Sequence, residues 1–241
     1  MSSKKLQRTN IPFFGPVATR RLAISLLVFV AAGYTFLSIG SRLLAEGFEP
    51  MTQVYMRVGL GTLALLILFR KNLRWQKIVS MPSRDFFVLL TMGTIGYSVG
   101  VYFITLGVLY AKLINVTIIF ASVPFFSYIY SYIFLKKPFD IKLTALLALS
   151  FFGIMLVATK SFAPHLAAFG KGEWFTLLAT ATMAWFYVGR KLLSAHLNMR
   201  EITVVVMAIA AISGFILALF RGETFALSAF TNPHVLLGLT M

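Results

Sequence analysis

The chain has 241 residues, 59% hydrophobic and only 12% charged, with a mean hydropathy of +0.87; a soluble domain carries about 25% charged residues, so a water-soluble globule is excluded. The 22 Lys and Arg against 7 Asp and Glu give a formal charge of +15, yet too little charged surface remains for a nucleic-acid partner. With no cysteine, disulfides, thiolate zinc sites, cysteine nucleophiles and iron–sulfur clusters are excluded together.

A bilayer core needs roughly 20 apolar residues per helix. Seven runs of about that length are bounded by charges or turn residues, at 22–44, 51–69, 86–107, 115–135, 141–159, 173–189 and 202–220. The terminal stretch 233–241 reads as an eighth span cut short. The first run exceeds a signal-peptide core of about 7–15 residues and is followed by further spans, so it is a retained anchor. These runs predict an all-α polytopic membrane protein of about seven and a half spans.

Charge orients it. With the N-terminus inside, sixteen Lys and Arg fall on the inner side: Lys4, Lys5, Arg8, Arg20, Arg21, Arg70, Lys71, Arg74, Lys77, Arg84, Lys136, Lys137, Lys142, Arg190, Lys191 and Arg200. Five, Arg42, Lys112, Lys160, Lys171 and Arg221, fall outside. The positive-inside rule therefore predicts a cytoplasmic N-terminus.

Two stretches match in order of features, 41–71 (SRLLAEGFEPMTQVYMRVGLGTLALLILFRK) and 190–222 (RKLLSAHLNMREITVVVMAIAAISGFILALFRG), offset by 149 to 151 residues. The displacement of five spans, an odd number, places them in opposite orientation. The charge bias reverses accordingly: Glu46 and Glu49 precede the paired helix in the first copy, whereas Arg190, Lys191, His196 and Arg200 precede it in the second. Inverted repeats with a binding site between them are a construction of secondary transporters. The expected domains are a basic tail at 1–21, a five-helix repeat at 22–159, a loop at 160–172 and an incomplete second repeat at 173–241. A full second copy would end on the order of residue 310, about three helices further on. The chain then reads as a fragment, an early-terminated product, or a half that completes itself with another chain, such as a second copy in a homodimer.

Arg57 lies six residues after Met51 in the second run, roughly 9 Å below the membrane entry. A central arginine costs about 2.5–3.5 kcal/mol on insertion scales, which favours a protein-facing or wet position. Arg57 is thus a candidate substrate or gating contact; the alternative is a snorkelling side chain that pairs with Glu49 or reaches headgroups. Pro124 falls mid-span in NVTIIFASVPFFSYIYSYIFL (115–135), where proline bends a helix and frees a carbonyl. Asn115, Thr117 and Ser122 precede that bend and could face a solute. Tyr34, Tyr97, Tyr102, Trp185 and Tyr187 could line a cavity, although interfacial girdles account for most membrane Tyr and Trp. Gly93, Gly96 and Gly100 on the third span, and Ala208, Ala211 and Ser213–Gly214 on the seventh, mark close helix packing. No carboxylate lies deep in a span, so a proton relay of buried acids has no support, and His165, His196 and His234 lack metal-ligand spacing. No cofactor is expected, and no residue set supports an enzyme.

These features resemble the drug/metabolite transporter superfamily in its EamA-type branch, built as two inverted five-helix repeats. EPMTQVYMRVGLGTLALL (49–66) is similar to the second helix of that family, with Pro50 and Arg57 at the matching proline and arginine. The segment 115–158 is similar to its fourth and fifth helices, with Pro124 and Gly153 at the matching positions, and GEWFTLLATATMAWFYVGRKL (172–192) resembles the opening of its second repeat. Lys137 stands where the family commonly carries Glu. The resemblance implies a secondary carrier, working outward by alternating access, for small organic solutes across a bacterial inner membrane. Its partners would be the solute and membrane lipid. The competing expectation is a non-transporting membrane protein, either a receptor-like scaffold or an inactive remnant.

Overall fold

Apolar run length sets the helices, and the residues at their ends set the boundaries. The computed structural model describes residues 39–138, 140–159, 170–194, 196–224 and 231–240, together with 24, 25, 29, 33 and 36. The chain divides into residues 1–37, whose five described positions are helical, and a unit from Ser38 to Met241. Most of the predicted first span, with Tyr34, Lys160 and His165, lies outside the described residues; residues 39–44 are the helical end of that span.

Among the described residues of the larger unit every regular element is helical. They are α1 (Pro50–Phe69), the short α2 (Trp75–Val79), α3 (Ser83–Tyr110), α4 (Leu113–Phe120), α5 (Val123–Leu135), α6 (Ile141–Thr159), α7 (Lys171–Gly189), α8 (Met199–Phe220) and α9 (Pro233–Thr240). Four units are long and apolar enough to cross a membrane: α1, α3, the bent pair α4–α5 spanning Leu113–Leu135, and α8. Helices α6 and α7 have 19 residues each. Helix α7 buries Thr176, Ala179, Thr180 and Ala184; packed against α3, α4 and α5, it meets protein where an outer helix meets lipid and tolerates threonines that lipid would disfavour.

The helix limits follow local chemistry. Pro50 starts α1 at a position where its missing N–H costs nothing. Asn198 and Glu201 form a capping box, which starts α8 three residues before the predicted 202. Helix α3 is α-helical at both ends but π-helical from Met92 to Val99. Between α4 and α5 the backbone turns at Ala121 and Ser122, and Pro124 stands in the first turn of α5.

Two antiparallel contacts make the core. Helix α3 runs against α7, with Gly107 facing Thr176, Gly100 facing Thr182 and Met183, Gly96 facing Phe186 and Met92 facing Gly189. A Cβ on Gly96 would come 3.1 Å from the Phe186 backbone nitrogen, so the absent side chain allows the backbones to approach. Helix α8 runs against α1 and against the π-helical part of α3, with Gly93 on Ile209 and Gly214 on Tyr55 and Ser98. The predicted packing role of Gly93, Gly96, Gly100 and Gly214 is met. Outward, Leu60, Leu63, Ile67 and Leu68 of α1, Leu146 and Leu149 of α6, and Ile212, Phe215 and Leu219 of α8 are exposed, an arrangement suited to acyl chains and costly in water.

Candidate functional site

Arg57 leaves α1 toward protein. Its guanidinium donates to the Ser41 hydroxyl and, at 3.3 Å, to Thr105 Oγ1 of α3. Thr105 can accept because its own proton goes to the Val101 carbonyl at 2.8 Å. Tyr97 lies in the π-helical part of α3. Tyr97 and Tyr102 pack against one apolar cluster that includes Met51, Val54, Val58 and Met183. Three of the predicted residues, Arg57, Tyr97 and Tyr102, therefore belong to one neighbourhood.

Tyr97 also packs against the second cluster, around Leu89, Met92, Phe186 and Val206, with its ring 5.2 Å from that of Phe186. Above Phe186, at 4.5 Å from the ring centroid, lies the guanidinium of Arg190. That side chain folds back along α7 over a ring that Tyr97 and Tyr187 both pack against. Burial holds the Arg190 pKa below the ordinary arginine value, against the opposing effect of the two tyrosines. Its Nε is buried with no hydrogen-bond partner among the described residues. So is the Ser98 hydroxyl, which is fully enclosed. The seven carboxylates of the chain all lie in loops or in the first turn of a helix.

Two of those carboxylates tie the α1–α8 pair at its ends. At one end Glu223, just beyond α8, accepts from the Thr52 amide at 2.7 Å, the Met51 amide at 3.3 Å and the Thr52 hydroxyl at 3.0 Å. A distant glutamate thus satisfies the free amides of α1 and favours its dipole, while the adjoining Glu49 makes no side-chain cap. At the other end Glu201, buried in the first turn of α8, accepts from Arg74 through Nε at 2.7 Å and Nη2 at 2.9 Å, and from the Asn198 amide at 2.7 Å. The hydrogen bonds to Glu201 push the pKa of Arg74 above its ordinary value. Near this second end, buried Asp85 accepts from the amide and the hydroxyl of Ser194.

The other predicted residues lie elsewhere. Asn115 donates to Glu173 Oε1 at 3.0 Å, Thr117 to the Leu113 carbonyl at 3.0 Å, and Ser122 to the Ile119 carbonyl at 2.6 Å. Pro124 is exposed. Trp185 stands edge-on to Tyr130 at 6.3 Å and tilted on Phe134 at 4.8 Å. Asn115 thus ties α4 to α7 and Trp185 ties α7 to α5, whereas Thr117 and Ser122 bond within their own turn.

Residues 21–159 match the EamA-like transporter family, more than half of the chain. The chain belongs to the EamA-like transporter family. No curated protein and no solved structure gives a significant match. This EamA-like chain is accordingly an integral membrane transporter of the drug/metabolite type. Arg57, Tyr97, Tyr102, Asn115, Thr117, Ser122 and Pro124 fall within the matched segment, whereas Trp185, Arg190, Glu201 and Glu223 fall beyond it. Sequence reasoning placed Arg190 among solvated loop charges of the EamA-like chain; the spacing of four between Phe186 and Arg190 is the signal that could have found their contact.

Proposed function

We propose that this EamA-like chain is a secondary carrier that exports small organic solutes across a bacterial inner membrane by alternating access, with its N-terminus in the cytoplasm. The observation that supports this reading best is the pair of clasps on antiparallel α1 and α8. An offset of 150 residues carries Met51 and Thr52 onto Glu201 and Ile202, and Arg74 onto Glu223's neighbour Thr224. Each helix is therefore held at its N-terminal end by a group just beyond the other helix, Glu223 in one case and Arg74 in the other. A carrier built of inverted repeats needs two such equivalent ends, one released while the other holds. Arg57 and Tyr97 between the clasps, and Tyr102 at the Glu223 clasp with the Arg221 guanidinium 5.3 Å from its ring centroid, are assigned to solute contact. The break at Ser122 and Pro124 is assigned to motion, with Asn115 holding α4 to α7 and Trp185 holding α7 to α5 around it.

Flux into proteoliposomes tests the proposal. The expected result is uptake or counterflow of at least one member of a broad metabolite panel above that of empty vesicles. Rates equal to empty vesicles across the panel would remove the carrier reading.

A further inference from the structure

The groups joining the two core clusters have an unusual charge balance. Arg57 reaches Thr105, Tyr97 belongs to both clusters, Arg190 lies over the Phe186 ring on which Tyr97 packs, and Ser98 faces Gly214 of α8. Arg57 and Arg190 contribute positive charge and the groups between them are hydroxyls, while at the Tyr102 edge a third guanidinium, Arg221, lies 5.3 Å from the ring centroid and pairs with Glu223. Arg57, inside α1, is a cation at membrane depth, costly unless an anion or water compensates it, and Arg190 stands just past the last residue of α7. Arg190 keeps an enclosed N–H with no acceptor among the described residues, and Ser98 Oγ is in the same position. These are donors awaiting an acceptor. The walls are aromatic: Tyr97 lies on Phe186, and Tyr102 belongs to the cluster that Tyr97 shares with α1.

We propose that this track carries an amphipathic organic anion, whose carboxylate is handed between Arg57 and Arg190 while its apolar body rests on Tyr97, Tyr102 and Phe186. Arginine suits the task because its planar fork binds carboxylate through two parallel N–H groups and stacks on aromatic faces. The stations differ in kind. Arg57 is braced by two hydroxyls that a carboxylate can displace, whereas Arg190 is braced by a ring and offers an N–H that is already free. The Tyr97 ring joins them geometrically, lying on the Phe186 ring beneath Arg190 and within the cluster shared with α1.

This proposal rests on the carrier reading for the direction of use but is tested by binding alone. The purified full-length chain is titrated with benzoate and with benzamide, its uncharged counterpart, by thermal shift and equilibrium binding. Benzoate is expected to bind at least about tenfold more tightly, the scale of hydrogen bonds to a charged group. Arg57→Gln and Arg190→Gln should each weaken benzoate about ten- to a hundredfold and leave benzamide unchanged. Arg57→Lys and Arg190→Lys, which keep charge but lose the fork, should recover part of the loss. Failure of the parent to prefer benzoate, including failure to bind either probe, overturns the proposal, as does unaltered benzoate binding by both glutamine variants. Where a glutamine variant is not recovered as folded protein, the parent's preference and the lysine variant decide. A chain that binds benzoate selectively yet moves no solute in vesicles refutes the carrier reading instead, and one that moves neutral solutes while ignoring benzoate refutes the anion track.

Discussion

At Gly172 an added methyl group would fall 2.5 Å from the amide nitrogen of Ala111 and 2.6 Å from the carbonyl carbon of Tyr110. Both are backbone atoms at the end of α3, so neither can swing aside as a side-chain tip would. Gly172→Ala is expected to destabilise the protein by about 1–3 kcal/mol, the range for overpacking, read as a lower Tm in detergent. Gly153 is the contrast, because a methyl there meets nothing within 4 Å. Gly153→Ala should be neutral or stabilising by up to about 1 kcal/mol, since alanine is the better helix former. The two glycines look alike in sequence; only the helix lying opposite separates them. Arg57 is different, because an arginine inside an apolar run is conspicuous by its transfer cost alone. Its partners Ser41 and Thr105 are not, for a hydroxyl within a span reads the same whether it meets a guanidinium or its own helix.

Among the elements, the α1–α8 pair shows why long-range caps escape a reading of local signals. Glu49 directly precedes α1 and Pro50 opens it, which predicts a local cap, yet Glu223 supplies the acceptor from 171 residues away. Thr52→Val keeps the shape and both amide hydrogen bonds but removes the hydroxyl donor to a buried carboxylate. It should cost about 1–2 kcal/mol, the lower part of the range for hydrogen bonds to charged groups, and calorimetric or detergent melting would measure it. The opposite clasp should respond asymmetrically. Arg74→Met strands a buried carboxylate and is expected to lower Tm more than Glu201→Gln, which leaves a half-exposed arginine able to meet water. Equal losses would show that Glu201 is hydrated in solution. Element limits were far more legible than these ties. Apolar run length finds α1, α3 and α8 within three residues at each end, because lipid thickness fixes that length and capping residues trim it. The π-helical part of α3 has no such signature: MGTIGYSV contains nothing that forbids an ordinary turn.

Over the whole molecule, the inverted arrangement expected from the sequence predicts that the loop at 45–50 and the loop at 194–199 face opposite compartments. The natural absence of cysteine makes the test direct. Single cysteines placed at Glu46 and at His196, both in exposed loops, should react with an impermeant thiol reagent from opposite sides, His196 from the cytoplasm. Reaction from one side would remove the inverted arrangement and the proposed carrier mechanism with it. Composition and charge alone convey the membrane class, since few charges and long apolar runs admit no other solvent. The grouping of the candidate residues is conveyed only in part. Arg57, Tyr97 and Tyr102 come together, whereas Asn115, Thr117, Ser122 and Trp185 serve neighbouring contacts, because facing direction depends on pairings between α3 and α7 that hydropathy does not encode.

The wider turns of Met92–Val99 leave α3 holding more residues than an ideal helix of its length would. That surplus behaves like a dislocation in a crystal, an extra row that can glide without the lattice coming apart. Were it to pass by one residue, the part of α3 on one side would swivel by about 100° relative to the other, one residue of a 3.6-residue turn. Tyr97 sits within the gliding row, and Gly93 and Gly96 hold that row close against Ile209 and Phe186, so its passage requires those two contacts to part. Deleting Val99 should pin the row, giving a chain that melts like its parent but is arrested in one arrangement.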